Sequence, residues 1–271
     1  MACQHNHPDH DGLSRRNLMT LTAGLGMVAA AGLGMNTGRA MAASGPTTTL
    51  TPDQALAALK AGNARYLTMP HACVTDLSKS REHVAQSQAP WAIIVGCADS
   101  RVPPELLFGG LGFGELFVAR NAGNLVDTAT MGTIEYGAAV LGAPLIVVLG
   151  HERCGAVAAA CDVITKGASF PGSIGPMIEP IIPAALAVRD QQGDFVNNTV
   201  IASAKRTASR LSASGPILAD RVKAGKLKIL AARYDLDDGK VEFYEIFKAA
   251  VPAPQASGTP PAPATVASPS P

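Results

Sequence analysis

Three short apolar runs, each broken off by polar residues, set the pattern of this chain: "WAIIV" (91–95), "ELFVA" (115–119) and "LIVVL" (145–149). The last is continuous and rich in β-branched residues, as expected of a strand covered on both faces. Between the second and third runs, Met131, Ile134, Ala138 and Leu141 recur at helical spacing, and Gly142 offers a stop. Strand, helix, strand over this distance reads as a βαβ unit. Upstream, "TPDQALAALKAGNARYL" (51–67) begins with Thr51 as an N-cap before Pro52 and carries Leu56, Ala57, Leu59 and Tyr66 on a moderately amphipathic helix, with Gly62 as a point of interruption. Downstream, "CGAVAAACDVI" (154–164) is strongly helical, and "KLKILAARYDLDDGKVEFYEI" (226–246) holds two strand-like runs around Asp238-Gly239, a hairpin signal. The pattern predicts an α/β fold: a mostly parallel central sheet with an antiparallel edge strand and helices on both faces. No internal repeat is visible.

The two ends break this pattern. Residues 14–20, "SRRNLMT", precede the weakly apolar run "LTAGLGMVAAAGLGM", and Ala40 and Ala42 then fit a small-x-small cleavage site. A basic start, an apolar middle and a small-residue end read as an export signal over 1–42. The pair Arg15-Arg16 points to the twin-arginine route and so to a periplasmic location. An uncleaved membrane anchor is the alternative, but the glycine content makes that span weak. The His-rich "HNHPDH" lies upstream of the signal and is discarded with it. Residues 251–271 are Pro, Ala and Ser with almost nothing to bury, the composition of a disordered tail. The folded domain is therefore expected over 47–250.

Charge narrows the partners. Of 271 residues, 16% are charged and 47% apolar, with a net charge of +1, and removal of 1–42 makes the chain neutral. No basic face is implied, which argues against nucleic acid, and 4% aromatics leave little stacking surface. The glycines of "GGLGFGE" (109–115) precede a strand and lack the G-x-G-x-x-G spacing, so they read as a turn and not as a dinucleotide site.

Reactive residues gather elsewhere. "GCADSR" (96–101) follows the first strand and "GHERCG" (150–155) the third. Both sit at carboxyl ends of predicted parallel strands, the edge at which open α/β sheets bind ligands. Cys97, His151 and Cys154 offer two sulfurs and one imidazole, a donor set that with an open fourth position suits catalytic zinc. Cys154 also opens a helix, where the dipole favours a thiolate. Asp99 is either the fourth ligand or the partner of Arg101, leaving the position to water. The bland alternatives are small core cysteines, a hydrogen-bonded structural histidine, and a Cys97–Cys154 disulfide in an exported protein. Cys73 and Cys161 read as core or a local bridge.

On these residues the chain resembles the β-class carbonic anhydrases. The pattern C-x-D-S-R followed by H-x-x-C is carried by Cys97, Asp99, Arg101, His151 and Cys154, and "ALAALKAGNARY", "RVPPE", "GELFVARNAGN" and "IEYGAAVLG" extend the likeness over 50–247. The resemblance implies zinc-dependent, reversible hydration of carbon dioxide to bicarbonate, in a homodimer or homotetramer. It implies that zinc, held by Cys97, His151 and Cys154, ionises a bound water near neutral pH. Asp99 then orients the nucleophile and Arg101 holds Asp99 off the metal; in a closed form Asp99 is itself a ligand. Two features depart from the family. Gly112 stands where some relatives carry a substrate-side Gln, and the segment 165–190 has no close counterpart and is a candidate for subunit contacts. His71 and His83 are the remaining candidates for a proton shuttle. Two other functions share these residues: hydrolysis of carbon disulfide or carbonyl sulfide, and non-catalytic binding of zinc or bicarbonate. The last would be signalled by loss of Asp99 or Arg101, and both are present.

Overall fold

The computed structural model describes residues 46–69, 81–82 and 84–246. The export signal, the tail, Cys73, His71 and His83 lie outside the described residues.

Helix α1 (Pro52–Thr68) starts as the sequence predicts. The Thr51 side chain accepts from the Gln54 N–H at 3.3 Å, and the Gln54 side chain accepts from the Thr51 N–H at 2.9 Å. This reciprocal box satisfies two backbone donors that a helix start leaves free. Gly62 does not interrupt the helix. A Cβ there would lie 2.0 Å from the Phe108 carbonyl oxygen, so the glycine lets α1 touch the backbone after the short helix α2 (Pro104–Leu107). The next residue, Asn63, is buried and donates to the carbonyls of Leu107 and Gly239 at 3.0 Å while accepting from the Val241 N–H at 2.9 Å. One amide thereby ties α1 to two distant loops.

The sheet has five strands in the order β2-β1-β3-β4-β5. Strands β1 (Ala92–Cys97), β2 (Leu116–Asn121), β3 (Leu145–His151) and β4 (Lys228–Tyr234) run parallel, and β5 (Val241–Glu245) pairs antiparallel with β4 at one edge. The predicted fold class and hairpin are both present. β1 and β3 each run two residues beyond their apolar runs, because backbone pairing continues through Gly96-Cys97 and Gly150-His151. Both strands are buried throughout, and their side chains alternate between two cores. Ile94, Val147, Leu149 and Leu230 face Leu59 and Phe108 from α1 and α2. Ile93, Val95, Ile146, Val148 and Ile229 face the opposite layer: Ile134 and Ala138 of α3 (Thr128–Ala139), and Ala204, Ala208 and Leu211 of a later long helix.

A third core lies over the carboxyl ends of the strands. It is built from α4 (Gly155–Lys166), α5 (Ile174–Ile178), a 3-10 turn (Glu179–Ile181), α6 (Ile182–Ala187) and the start of α7 (Phe195–Ala213), the long helix of the second layer. Segment 165–190 thus contributes Ile178, Ile181 and Ala185 to the interior of its own chain, while Ile174 and Leu186 stay exposed. Helix α8 (Ile217–Lys223) closes the second layer before β4. Among the described residues, no helix is long and apolar enough to cross a membrane.

Candidate metal centre

β1 and β3 are neighbours, so Cys97 and His151, the last residues of those strands, finish side by side. Cys154 follows as the N-cap of α4, with extended backbone (φ −68°, ψ 120°) and no side-chain capping bond. The strand-to-helix turn brings its sulfur to the strand ends beside Cys97 and His151. The ligand atoms of Cys97, His151 and Cys154 all lie within 4.8 Å of one another, and all three residues are buried.

The histidine is set for donation. Its Nδ1 donates to the Glu152 carbonyl oxygen at 2.8 Å, since a carbonyl can only accept. Nε2 has no hydrogen-bond partner although the side chain is fully buried. A buried polar atom left in that state calls for an explanation, and a lone pair aimed at two sulfurs has one in a metal ion.

The sulfurs act as one acid. The Cys154 thiol donates toward Cys97 and holds the Cys97 thiol down at about 4 against its burial, with His151 and the Gly123 N–H adding to the effect. The same bond and burial push the Cys154 thiol up. The opposite shifts have one cause, the contact between the two sulfurs, and a cation placed between them would favour the thiolate of both. Both are free thiols and not a disulfide. Two soft donors plus one imidazole in tetrahedral reach match zinc.

Asp99 stands at the rim. Its Oδ1 accepts from the Arg101 N–H and Nε at 2.9 Å, and its Oδ2 accepts from an Arg101 terminal nitrogen at 2.8 Å. The guanidinium holds the Asp99 carboxyl well below the usual carboxylate range. Oδ2 is 3.8 Å from His151 Nε2, beside the three ligands but turned to Arg101. Of the four candidate ligands, three converge and Asp99 lies next to them in its arginine pair.

Two contributors were not foreseen from the sequence. Arg120, on β2, donates from Nε to the Cys97 carbonyl at 2.8 Å and from a terminal nitrogen to the Asp99 carbonyl at 2.6 Å, fixing the backbone that carries both residues. Gly123 donates its N–H to Cys97 Sγ at 3.4 Å from a turn with φ +82°, and a Cβ there would press on Ile181 and Ala156. Only a partner strand in the right register brings these residues to the site, and a single sequence carries no such signal. Cys161 belongs to the core, as read: it is buried on α4 with its sulfur 3.5 Å from the Thr199 hydroxyl of α7. Gly112 donates its N–H to the Glu115 carboxylate at 2.5 Å in the turn ahead of β2.

The family model for carbonic anhydrases matches residues 92–241, a span that contains every residue of this cluster. The chain belongs to the carbonic anhydrase family. Carbonic anhydrase 2 of Mycobacterium tuberculosis is 38% identical over 189 residues, covering 70% of this chain and 91% of that protein. Among solved structures, the β-carbonic anhydrase of Coccomyxa in complex with acetazolamide aligns with a TM-score of 0.52 at 29% identity, over 61% of this chain and 76% of that one. The β-carbonic anhydrase CcaA aligns with a TM-score of 0.57 at 22% identity, over 66% of this chain and 90% of that one, a likeness of fold. The mostly parallel sheet with its antiparallel edge strand is thus the β-class carbonic anhydrase fold.

Proposed function

We propose that this carbonic anhydrase hydrates carbon dioxide reversibly to bicarbonate and a proton, with zinc held by Cys97, His151 and Cys154. The observation that carries the reading is the buried, unpartnered His151 Nε2, whose ring lies with the Cys97 and Cys154 sulfurs in one cluster within 4.8 Å. Zinc, when bound, supplies a Lewis acid that ionises water near neutral pH.

The chain's own residues do the rest. The Arg101 pair keeps Asp99 away from the three donors, which favours an open fourth position over Asp99 as a ligand. Asp99 Oδ2, beside His151 Nε2, accepts a hydrogen bond from the attacking oxygen and so directs its lone pair to carbon, while the carboxylate itself stays ionised. Arg120 and the Gly123 N–H hold Cys97 and the Asp99 backbone in place while charge moves. Leu125, Ala156 and Ile181 pack beside the sulfurs and give an apolar wall suited to a small apolar substrate.

Metal analysis with stopped-flow carbon dioxide hydration across pH tests this. The expected result is one zinc per chain and turnover that rises through neutral pH. A zinc-loaded protein that turns over carbonyl sulfide or carbon disulfide in preference, or that only binds bicarbonate, would overturn it. We further infer that residues 1–42 send the folded enzyme to the periplasm by the twin-arginine route, supported by Arg15-Arg16, the weakly apolar run and Ala40-x-Ala42. The enzyme works there as a homodimer or homotetramer.

A further inference from the structure

Among the described residues, a cluster of acidic groups begins one residue after the histidine. The carboxylates of Glu152, Asp235 and Asp237 lie within 4.8 Å of one another. Guanidinium groups fill this cluster: Arg153 makes a two-pronged bond to Asp237 at 3.0 and 2.7 Å, and Arg233 bonds Asp235 at 3.1 Å and the Asn197 side chain at 2.5 Å. We propose that this network in the β4–β5 hairpin loop braces the Glu152–Arg153 peptide, whose carbonyl aims His151, making Glu152, Arg153, Arg233 and Asp237 positioning residues for the metal centre. The proposal rests on the reading of His151 as a zinc ligand.

One peptide group links the hairpin loop to the histidine. His151 keeps Nε2 free for metal because Nδ1 donates to the Glu152 carbonyl at 2.8 Å. Such outer partners fix the ring's tautomer and direction. That carbonyl belongs to the peptide between Glu152 and Arg153, so its direction depends on the torsions either side. Arg153 has φ +50°, the left-handed region that a non-glycine residue rarely adopts. Left free, the residue would relax to negative φ, and the peptide would rotate with it, carrying the carbonyl away from Nδ1.

The hairpin loop opposes this from both sides. On one side, the Glu152 N–H donates to the Tyr234 carbonyl at 2.9 Å, and the Glu152 carboxylate accepts from the Leu236 N–H at 3.2 Å, with an Arg233 nitrogen at 3.7 Å. On the other, Arg153 is tied by its fork to Asp237 and lies 3.4 Å from Glu152 Oε1. Asp237 itself is held by its backbone N–H, which donates to Asp235 Oδ1 at 2.9 Å. Asp237 touches none of the ligands, and its side chain is exposed, so it can be replaced without opening the core.

The test uses the mature zinc protein and a competing chelator that reports zinc affinity. Asp237→Ala should weaken zinc by roughly threefold to tenfold, less than loss of the histidine's direct partner would, because Asp237 acts through Arg153 in an exposed pair. Adding Arg153→Gly to that variant should restore most of the loss, because glycine takes a positive φ without strain. Adding Arg153→Ala instead should not, although it leaves the same charge balance. Unchanged affinity in Asp237→Ala overturns the brace, and so does equal recovery with glycine and alanine, which would mark a plain charge effect. A wild-type chain that takes up no zinc overturns the metal-centre reading and the brace with it, whereas zinc uptake that His151→Ala abolishes keeps the two questions separate.

Discussion

Asp99 directs both of its carboxylate oxygens to a single residue, Arg101. That exclusivity decides what each can be tested for. The Asp99 carboxyl is lowered in the folded protein, so the pair's contribution to stability is present above the ordinary carboxylate value, about 3.9, and is lost as pH falls through the folded value. Arg101 is half exposed, so the pair adds little to the fold. Its value lies in orientation. Asp99→Ala should keep zinc at one per chain and lose roughly a hundredfold or more of hydration activity, the scale of a lost hydrogen bond to the transition state; full activity at full zinc would refute the role. Arg101→Gln should leave the thermal midpoint nearly unchanged at pH 7 and at pH 3, yet reduce turnover by freeing Asp99 to swing across the 3.8 Å that separates it from His151 Nε2. At this scale the sequence was highly legible. Cys97, Asp99, Arg101, His151 and Cys154 fall in two short stretches whose chemistry is written locally. Arg120 and Gly123 were not, because each acts across strand neighbours through a backbone atom or a sulfur far away in sequence.

Helices and strands obey their local signals until another backbone comes close. Thr51, Gly142 and Asp238-Gly239 mark a helix start, a helix stop and a hairpin where the residue chemistry demands them. Gly62 misleads for a physical reason: its effect on helix propensity is about 1 kcal/mol, while the clash of a Cβ with the Phe108 carbonyl at 2.0 Å is a tertiary fact. Gly62→Ala should therefore destabilise by about 1–3 kcal/mol through overpacking, despite alanine's better propensity, as read by denaturant unfolding. A net gain in stability would show that α1 shifts freely over α2. Helix α4 carries a sharper test. Cys154 occupies its N-cap without capping it, and serine is among the best caps, worth about 1 kcal/mol over a non-capping residue. Cys154→Ser should improve α4 in the metal-free chain yet abolish zinc uptake. The variant's melting temperature should no longer respond to zinc or chelator, whereas that of the native protein should rise with zinc and fall with chelator. A variant still stabilised by zinc would remove Cys154 from the ligand set.

At the scale of the whole molecule, the adjacency of β1 and β3 is what turns two motifs into one centre, and it brings two buried sulfurs together. The two motifs in the sequence predict that adjacency; the packing of segment 165–190 over the same strand ends is not legible there, because its apolar residues suit an internal core and a subunit contact equally well. The pair bears on the route of export. Folding brings the Cys97 and Cys154 sulfurs within 4.8 Å of each other, and thiols without metal in an oxidising compartment are open to disulfide formation. A chain that reached the periplasm unfolded would meet oxidant before metal. On the proposed twin-arginine route the chain would cross folded, with zinc already on the sulfurs. Replacing Arg15 and Arg16 with Lys should hold the enzyme in the cytoplasm, zinc-loaded and active in lysate. Replacing residues 1–42 with a signal for unfolded export should deliver a protein low in zinc with Cys97 and Cys154 joined, read by thiol alkylation and mass spectrometry of the periplasmic fraction. Periplasmic delivery of the Lys-Lys variant would refute the route, and a fully reduced, zinc-replete product from the unfolded pathway would show that the sulfurs need no such protection.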